Sequence, residues 1–166
     1  MERFKSRNTN QYSTAQDGYS KGETFERYSL RLFPEKYYKV LRVTPRRNDL
    51  DGRFVESALD PDFQLQHISS KHIFWVECKF RSSMSAGKIQ WCNGFQQFAR
   101  YKEFQEKNRP QKVFILIGLG GQSYAPKSMY CIPLDCIAYE GLYLGSIAKY
   151  KRNPHSSFKY EYGRLK

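Results

Sequence analysis

The β-prone run from Ile73 to Phe80 constrains the fold most, because it places charged residues inside an otherwise apolar pattern. Successive side chains of a β-strand point to opposite sides. One side of this strand would carry Phe74, Val76, Cys78 and Phe80, and the other would carry Trp75, Glu77 and Lys79. Burying an unpaired charge is costly. We therefore expect Glu77 and Lys79 to meet counter-charges or a metal ion.

A second carboxylate comes from the preceding β-prone run, which Asp62 opens. The segments Phe63 to Ile68 and His72 to Phe80 are separated by Ser69-Ser70-Lys71, a pattern that predicts a β-hairpin. A hairpin brings the start of its first strand close to the end of its second. Asp62 and Glu77 should therefore be spatial neighbours, although they are 15 positions apart in the chain.

The remaining apolar spacing predicts helices and strands on both sides of this hairpin. We expect helices over Gly22–Phe33, Ile89–Lys107 and Leu134–Ala138, strands over Tyr37–Val43, Val113–Leu119 and Ser128–Pro133, and a continued meander over Arg53–Leu59. The run from Val113 is apolar at every position, which is typical of a strand buried on both faces and is ended here by a glycine cluster. In the first helix, Glu26 lies on a stripe with Leu30 and Phe33, so it should face inward or into a cleft.

The charged residues form a pattern of known type. Pro61-Asp62, a gap, and then Glu77-Cys78-Lys79 resembles the motif of the PD-(D/E)xK nuclease superfamily, the proteins of restriction-endonuclease-like fold. Members of this family often carry a Glu on the first helix and Gln-x-x-x-Tyr on the second, and Glu26 and the pair Gln97 and Tyr101 fill those places. The resemblance implies an α/β fold with an αβββαβ core, in which helices flank a mixed central sheet.

The resemblance also implies a chemistry, the metal-dependent hydrolysis of phosphodiester bonds in DNA. Mg²⁺ would be the cofactor, with Mn²⁺ able to substitute, because both accept oxygen ligands. Its ligands would be Asp62, Glu77 and the backbone carbonyl of Cys78. Lys79 would position or help deprotonate the attacking water, while Glu26, Gln97 and Tyr101 would complete the catalytic set.

The formal charge of +12 predicts attraction to a polyanion, most simply nucleic acid. A small-residue loop over residues 82–87 follows the catalytic strand and is well placed to touch phosphate. The predicted nucleic-acid contacts are Lys79, Arg81, Ser82, Ser83, Lys88 and Arg100. A homodimer or a larger protein assembly is a further expected partner, because double-strand cleavage requires two active sites.

We expect one domain with two flanking segments of different composition. Residues 1–20 would form a flexible basic lead-in, residues 21–148 the nuclease-like domain, and residues 149–166 a basic, aromatic C-terminal extension. That extension suits either a surface that tracks a nucleic-acid backbone or a solvated terminal strand. With no apolar run near the roughly 20 residues needed to span a bilayer, we expect a soluble, cytoplasmic protein without a membrane partner.

Three other interpretations stay open at this point. The chain could be a non-catalytic nucleic-acid-binding protein that keeps a nuclease-like fold, or a nuclease subunit that is active only within a larger complex. The charged residues could also form a buried salt-bridge cluster without catalysis. The four cysteines show no ligand spacing, so we expect buried free thiols rather than a zinc site.

Overall fold

A mixed six-stranded sheet with helices packed on both faces forms the centre of the protein in the computed structural model, which describes residues 10–46 and 56–166. The helices are α1 (Asn10–Leu30), α2 (Phe95–Lys107) and α3 (Leu144–Ile147). The strands are β1 (Tyr38–Val43), β2 (Phe63–His67), β3 (Ile73–Arg81), β4 (Lys88–Gln90), β5 (Lys112–Gln122), β6 (Ala125–Pro133), β7 (Gly141–Tyr143), β8 (Lys151–Arg152), β9 (Tyr160–Glu161) and β10 (Arg164–Leu165). Short 3₁₀ turns cover Glu56–Leu59, Leu134–Cys136 and Ala148–Tyr150.

The central sheet has the order β1-β2-β3-β5-β6-β8. Its β3–β5 pair is parallel, whereas the other neighbouring strands run antiparallel. The pairs β4–β7 and β9–β10 form two small separate sheets. The predicted α/β class with a mixed central sheet is therefore confirmed. Along the chain, the elements run α1, β1, β2, β3, α2, β5, with β4 inserted before α2.

The core consists of two apolar clusters, one on each face of the sheet. Phe25 and Tyr28 of α1 pack with Val76 of β3 on one face. Tyr101 of α2 packs with Trp75 of β3 on the other face. Strand β5 contributes alternate residues to both clusters, so the prediction of a strand buried on both faces is confirmed. The alternation predicted for β3 also holds, because Phe74, Val76 and Cys78 share the α1 face.

Glycine does not end β5 as the sequence suggested. Gly118 remains inside the strand, where a Cβ atom would lie 2.5 Å from a ring carbon of Phe25, so its small size lets α1 approach the sheet. Gly120 and Gly121 adopt positive φ values of 66° and 69°, which glycine tolerates. The strand distorts there but continues pairing, with Gly121 opposite Pro126.

The second helix begins six residues later than predicted. Residues 88–90 form β4 and pair with β7. Gly94, with φ of 83°, separates that strand from the helix, which starts at Phe95. A helix starting at Ile89 would have placed Phe95 on an apolar stripe with Trp91 and Phe98, but Phe95 is 70% exposed.

Other predicted boundaries also shift at the chain ends and turns. Helix α1 begins at Asn10, so residues 10–20 are helical rather than a flexible lead-in, while residues 1–9 lie outside the described residues. The expected strand over Arg53–Leu59 is a 3₁₀ turn from Glu56, and residues 53–55 also lie outside the described part. The short helix predicted from Leu134 is a 3₁₀ turn of three residues.

The C-terminal segment contributes to the core instead of standing apart from it. Strand β8 pairs with β6 at the edge of the central sheet. Phe158 and Leu165 are buried in the cluster beneath α1. Among the cysteines, Cys78, Cys92 and Cys131 are buried as expected, but Cys136 is exposed because the 3₁₀ turn directs it outward; all four are free thiols.

In the described parts of the chain, none of the helices combines the length and the apolar character needed to cross a bilayer.

Candidate active site

One large cleft gathers the predicted catalytic residues. It has a volume of about 1260 Å³ and is bordered by α1, the segment after β1, the second half of β3 and the first turns of α2. The cleft is lined by all six residues assigned a catalytic role from the sequence: Glu26, Asp62, Glu77, Lys79, Gln97 and Tyr101. The tertiary structure thus brings together side chains that the sequence distributes over 76 positions, from 26 to 101.

Asp62 and Glu77 face each other across the β2–β3 hairpin. The antiparallel register pairs Phe63 with Val76, which places Asp62 opposite Glu77 at the next position. Asp62 Oδ2 accepts a hydrogen bond of 2.7 Å from the backbone N–H of Cys78. The predicted hairpin therefore brings both carboxylates to the cleft.

Electrostatics at Asp62 disfavour its charged form. Burial raises the pKa of this carboxyl well above its ordinary value, and the nearby Glu77 and Glu26 carboxylates raise it further. Lys79 and the Cys78 amide act in the opposite direction but do not cancel these effects. The ionised form of Asp62 therefore needs more positive charge than the described side chains supply.

Glu77 is the buried centre of the site, with 2% of its surface exposed. The Tyr101 hydroxyl donates a hydrogen bond of 2.5 Å to its Oε1 atom, and the Lys79 ammonium forms a salt bridge with the same oxygen. Its Oε2 atom is buried and has no hydrogen-bond partner among the described residues. One carboxylate oxygen is thus satisfied by protein, and the other is available to a ligand.

Lys79 and Tyr101 are both held in their proton-bearing forms. Burial is the largest effect on the pKa of Lys79 and lowers it, but the Glu77 carboxylate together with Tyr101 and Asp62 outweighs burial and raises the pKa above its ordinary value. Burial and then the same carboxylate raise the pKa of Tyr101. At neutral pH both groups therefore donate hydrogen bonds to Glu77.

Two further residues of α2 border the cleft beside Tyr101. Gln97 accepts a hydrogen bond of 2.6 Å at Oε1 from the backbone N–H of Asn93, which fixes the segment entering the helix. The Arg100 guanidinium lies 5.2 Å from the centre of the Tyr101 ring. The buried Nε atom of Arg100 has no hydrogen-bond partner in the described part of the chain. Gln97 thus holds the segment before α2 in place, and Arg100 has an unused N–H donor on the α2 side of the cleft.

Glu26 occupies the opposite wall, where its carboxylate is engaged. Arg46 donates a hydrogen bond of 2.7 Å from Nη2 to Glu26 Oε2. A second salt bridge of 2.9 Å joins Arg46 to Glu23, one turn earlier in α1. Asp60, two positions before Asp62 in the sequence, forms a salt bridge of 3.0 Å with Arg42. These ion pairs engage carboxylates that line the cleft together with Asp62.

The predicted nucleic-acid contacts divide into two groups. Lys79, Arg81 and Arg100 border the cleft, but Ser82, Ser83 and Lys88 do not. The serines lie exposed in the turn after β3. The Lys88 ammonium lies 4.9 Å from the centre of the Tyr143 ring on the separate β4–β7 sheet. The sequence did not show this separation, because β4 was predicted as part of a helix.

Arg81 has a structural role that the sequence did not predict. Its guanidinium donates hydrogen bonds to the backbone carbonyls of Phe80, Gln90 and Trp91. Burial lowers its pKa. These three bonds join β3 to β4 and use three of the five guanidinium N–H donors. The role of Arg81 as a phosphate contact stays a prediction.

Further polar residues border the cleft that were not predicted from the sequence, among them Arg46, Gln90, Asn93 and Gln96. Arg46 follows Pro45 in a basic run, which gave no positional signal. The three amide residues flank Gly94, and a glycine amid polar residues was the available sign that the predicted helix was interrupted.

The donor set at the centre of the cleft fits a hard divalent cation. Among residues 10–46 and 56–166, no three His, Cys, Asp or Glu side chains are grouped closely enough to hold an ion by themselves. The cleft instead offers two carboxylates, from Asp62 and Glu77, and it is also bordered by Cys78, whose backbone carbonyl is the third ligand that the resemblance implies. Mg²⁺ is commonly bound by one or two carboxylates and keeps several waters. The unpartnered Oε2 of Glu77 supports this fit.

The charge of the cleft contrasts with that of the whole chain. Its described lining includes five acidic residues, Glu23, Glu26, Asp60, Asp62 and Glu77, against four basic ones, Arg46, Lys79, Arg81 and Arg100. The net charge of the chain is +12. Arginines already pair with Glu23, Glu26 and Asp60. The cleft lining is therefore close to neutral, and Asp62 and Glu77 are the carboxylates best placed for a cation.

Comparison with protein-family models and with curated proteins gave no match to this sequence.

Proposed function

We propose that this protein is a metal-dependent nuclease of the PD-(D/E)xK type, with the αβββαβ core of restriction-endonuclease-like proteins, and that it hydrolyses phosphodiester bonds of DNA. One observation carries the proposal: Asp62, Glu77 and Lys79 converge on a single cleft, with one buried carboxylate oxygen of Glu77 unpartnered among the described residues. The element order α1, β1–β3, α2, β5 supports the proposed core.

Asp62, Glu77 and the Cys78 carbonyl would hold Mg²⁺, or Mn²⁺ in its place. A bound divalent ion would polarise the phosphate and lower the pKa of a coordinated water. The raised pKa of Asp62 is consistent with a carboxyl that needs a cation to remain ionised. The Cys78 amide holds Asp62 Oδ2 in place, which lowers the reorganisation needed at this carboxylate.

Lys79 supplies a fixed positive charge beside the carboxylates. Its ammonium has three N–H donors and forms a salt bridge with Glu77. The others are available to the attacking water or to a non-bridging phosphate oxygen. Such a donor stabilises the negative charge that develops in phosphoryl transfer.

Tyr101 and Arg100 act from α2. The Tyr101 hydroxyl fixes Oε1 of Glu77, so it is a positioning residue that acts through the carboxylate. Arg100 presents a guanidinium to the cleft, and guanidinium groups bind phosphate in a planar, two-donor geometry. The basic surface of the chain would attract the DNA, while the acidic centre holds the ion.

The experiment is a cleavage assay on supercoiled plasmid, linear duplex, single strands, a four-way junction and RNA, each with Mg²⁺, Mn²⁺ or EDTA. The wild type is compared with Lys79→Ala and with the matched control Lys88→Ala, which removes an equal charge outside the cleft. Thermal melting confirms that both variants are folded.

We expect cutting that needs the metal, is lost in Lys79→Ala and persists in Lys88→Ala. Equal activity in wild type and Lys79→Ala would refute the assigned site. Salt-dependent DNA binding without metal-dependent cutting of any substrate would instead identify a binding protein or a subunit that requires its partner.

A further inference from the structure

The C-terminal β9–β10 hairpin ends in an unusual turn. Its two central residues, Tyr162 and Gly163, have φ values of 50° and 74°, and Arg164 pairs with Glu161 on either side of them. A two-residue turn with both φ values positive is type I′. The Tyr162 side chain at its tip is completely exposed.

Neither backbone preference nor packing accounts for a tyrosine at this position. The first place of a type I′ turn favours Asn, Asp or Gly, because a Cβ atom disfavours the left-handed conformation. The fully exposed ring buries no surface within the described protein. Tyr162 therefore costs stability in the folded chain without an evident return from folding.

The hairpin that presents this ring is firmly anchored. Tyr160 stacks on Phe74 of β3, with ring centres 5.1 Å apart and planes 5° from parallel. Leu165 is buried in the core. The backbones of Lys159 and Lys166 exchange hydrogen bonds of 3.0 and 2.9 Å. The tip thus projects from a fixed base.

Positive charge lines the hairpin, with Arg164 and Lys112 beside the turn and Lys159 and Lys166 at the base. Lys159, Arg164 and Lys166 are exposed on the hairpin, and Lys112 reaches it by a hydrogen bond of 3.4 Å to the Gly163 carbonyl. Glu161 is the hairpin's acidic residue and is paired with Lys166 at 3.0 Å. Cations along a hairpin that presents an exposed aromatic ring match the chemistry of a single strand, with phosphates for the cations and a base face for the ring.

We propose that the β9–β10 hairpin is a second nucleic-acid site, in which Tyr162 stacks on an unpaired base and the surrounding cations bind the adjacent phosphates. The ligand class is a single-stranded segment or an unpaired end, because a base inside a continuous duplex has no free face. The hairpin rests on Phe74, which is three residues from Glu77 along β3, or roughly 10 Å at the rise of a strand. Strand β3 thus connects this site to the cleft.

Other members of the C-terminal segment do not belong to this site. The Arg152 guanidinium lies 3.4 Å from the centre of the Phe158 ring, and that ring is buried. Arg152 therefore packs within the fold. The structure divides the basic, aromatic segment into a buried part and the exposed hairpin tip.

The decisive variant is Tyr162→Asn. It creates the residue pair that a type I′ turn prefers, so folding should be unimpaired or improved while the stacking ring is lost. Tyr139→Asn is the matched control, because Tyr139 is 71% exposed and its charged neighbours in sequence, Asp135 and Glu140, are acidic.

Binding is measured by fluorescence anisotropy with a labelled single-stranded oligonucleotide and with a blunt duplex, in EDTA, across a range of salt concentrations. EDTA makes the result independent of cleavage, so this inference and the proposed nuclease activity can fail separately. We expect Tyr162→Asn to bind the single strand about tenfold more weakly, with an unchanged or higher Tm, and Tyr139→Asn to bind as wild type does.

Lys159→Ala should reduce the slope of log Kd against log salt concentration by about 0.7 for binding of the single strand. The proposal is overturned if Tyr162→Asn binds the single strand as tightly as wild type. It is also overturned if Tyr162→Asn weakens the blunt duplex equally, or if no nucleic acid binds, which would direct attention to a protein partner for this tip.

Discussion

Replacing Lys79 with methionine tests whether the carboxylate of Glu77 is truly buried and charged. Methionine keeps much of the side-chain length of lysine but removes the ammonium. Glu77 side-chain exposure is 3%, so its charge would then be left with the Tyr101 hydroxyl as its remaining hydrogen-bond donor among the described residues. Breaking a buried ion pair by removing one partner costs about 3–5 kcal/mol. For a chain of 166 residues, this predicts a Tm lower by roughly 6–20 °C.

The reverse variant should cost less, because the two partners differ in exposure. Glu77→Gln leaves an ammonium that is 18% exposed and can be hydrated. The amide keeps an acceptor for Tyr101, so we expect a loss of about 1–2 kcal/mol. The double variant, Glu77→Gln with Lys79→Met, removes both charges and should be more stable than Lys79→Met alone. We expect a coupling free energy of about 2 kcal/mol.

Urea unfolding in EDTA, followed by circular dichroism, gives the free energies for this cycle. Millimolar Mg²⁺ supplies a second comparison, because a bound cation would replace the missing ammonium. At tenfold excess over its Kd the ion would stabilise Lys79→Met by about 1.4 kcal/mol. A loss of unfolding free energy below about 1 kcal/mol for Lys79→Met, or effects of the two single variants that simply add, would refute a buried charged Glu77. The absence of stabilisation by Mg²⁺ or Mn²⁺ would count against the metal site.

Three further predictions concern neighbouring features. Asp62→Asn should abolish cleavage yet stabilise the fold in EDTA by about 1 kcal/mol at neutral pH. Because the pKa of Asp62 is raised in the folded state, the stability of the wild type falls as pH rises from the ordinary carboxyl range through the raised value. A gain in stability of the variant that does not grow with pH would contradict this. Arg81→Gln should lose about 2 kcal/mol in urea unfolding through its broken carbonyl bonds. This variant also removes the charge, yet we expect an unchanged slope of log Kd for DNA against log salt, and a slope reduced by about 0.9 would establish Arg81 as a phosphate contact. Gly118→Ala should destabilise the fold by about 1–3 kcal/mol because its Cβ would meet the Phe25 ring. The control Gly22→Ala, which has open space around it in α1, should raise Tm. Equal effects of the two variants on Tm would disprove the close approach of Phe25 to Gly118.

Local patterns were sufficient where one interaction dominated. The alternation in β3 predicted which residues face α1, and the uninterrupted apolar run predicted the buried position of β5. The β2–β3 hairpin followed from two β-prone runs and a short polar turn, and it placed Asp62 opposite Glu77. These features depend on side-chain period and chain connectivity, which are properties of adjacent residues.

Prediction failed where partners distant in sequence decided the conformation. Residues 88–90 had an apolar spacing compatible with a helix, but pairing with β7 makes them a strand. Gly120 and Gly121 are suited to ending a strand, yet pairing with β6 carries β5 past them. The sequence also did not show that backbone carbonyls engage Arg81 or that Lys88 lies on a separate sheet.

The sequence by itself determined the α/β class, the central hairpin and the charged residues that line the cleft, because alternation and spacing are written in consecutive positions. The tertiary structure decided how those charges are used. It gave one oxygen of Glu77 to Tyr101 and Lys79, engaged Glu26 with Arg46, and turned Arg81 to backbone carbonyls. Such pairings depend on distances between α1, the sheet and α2, which no local pattern specifies, because packing on the two faces of the sheet fixes them.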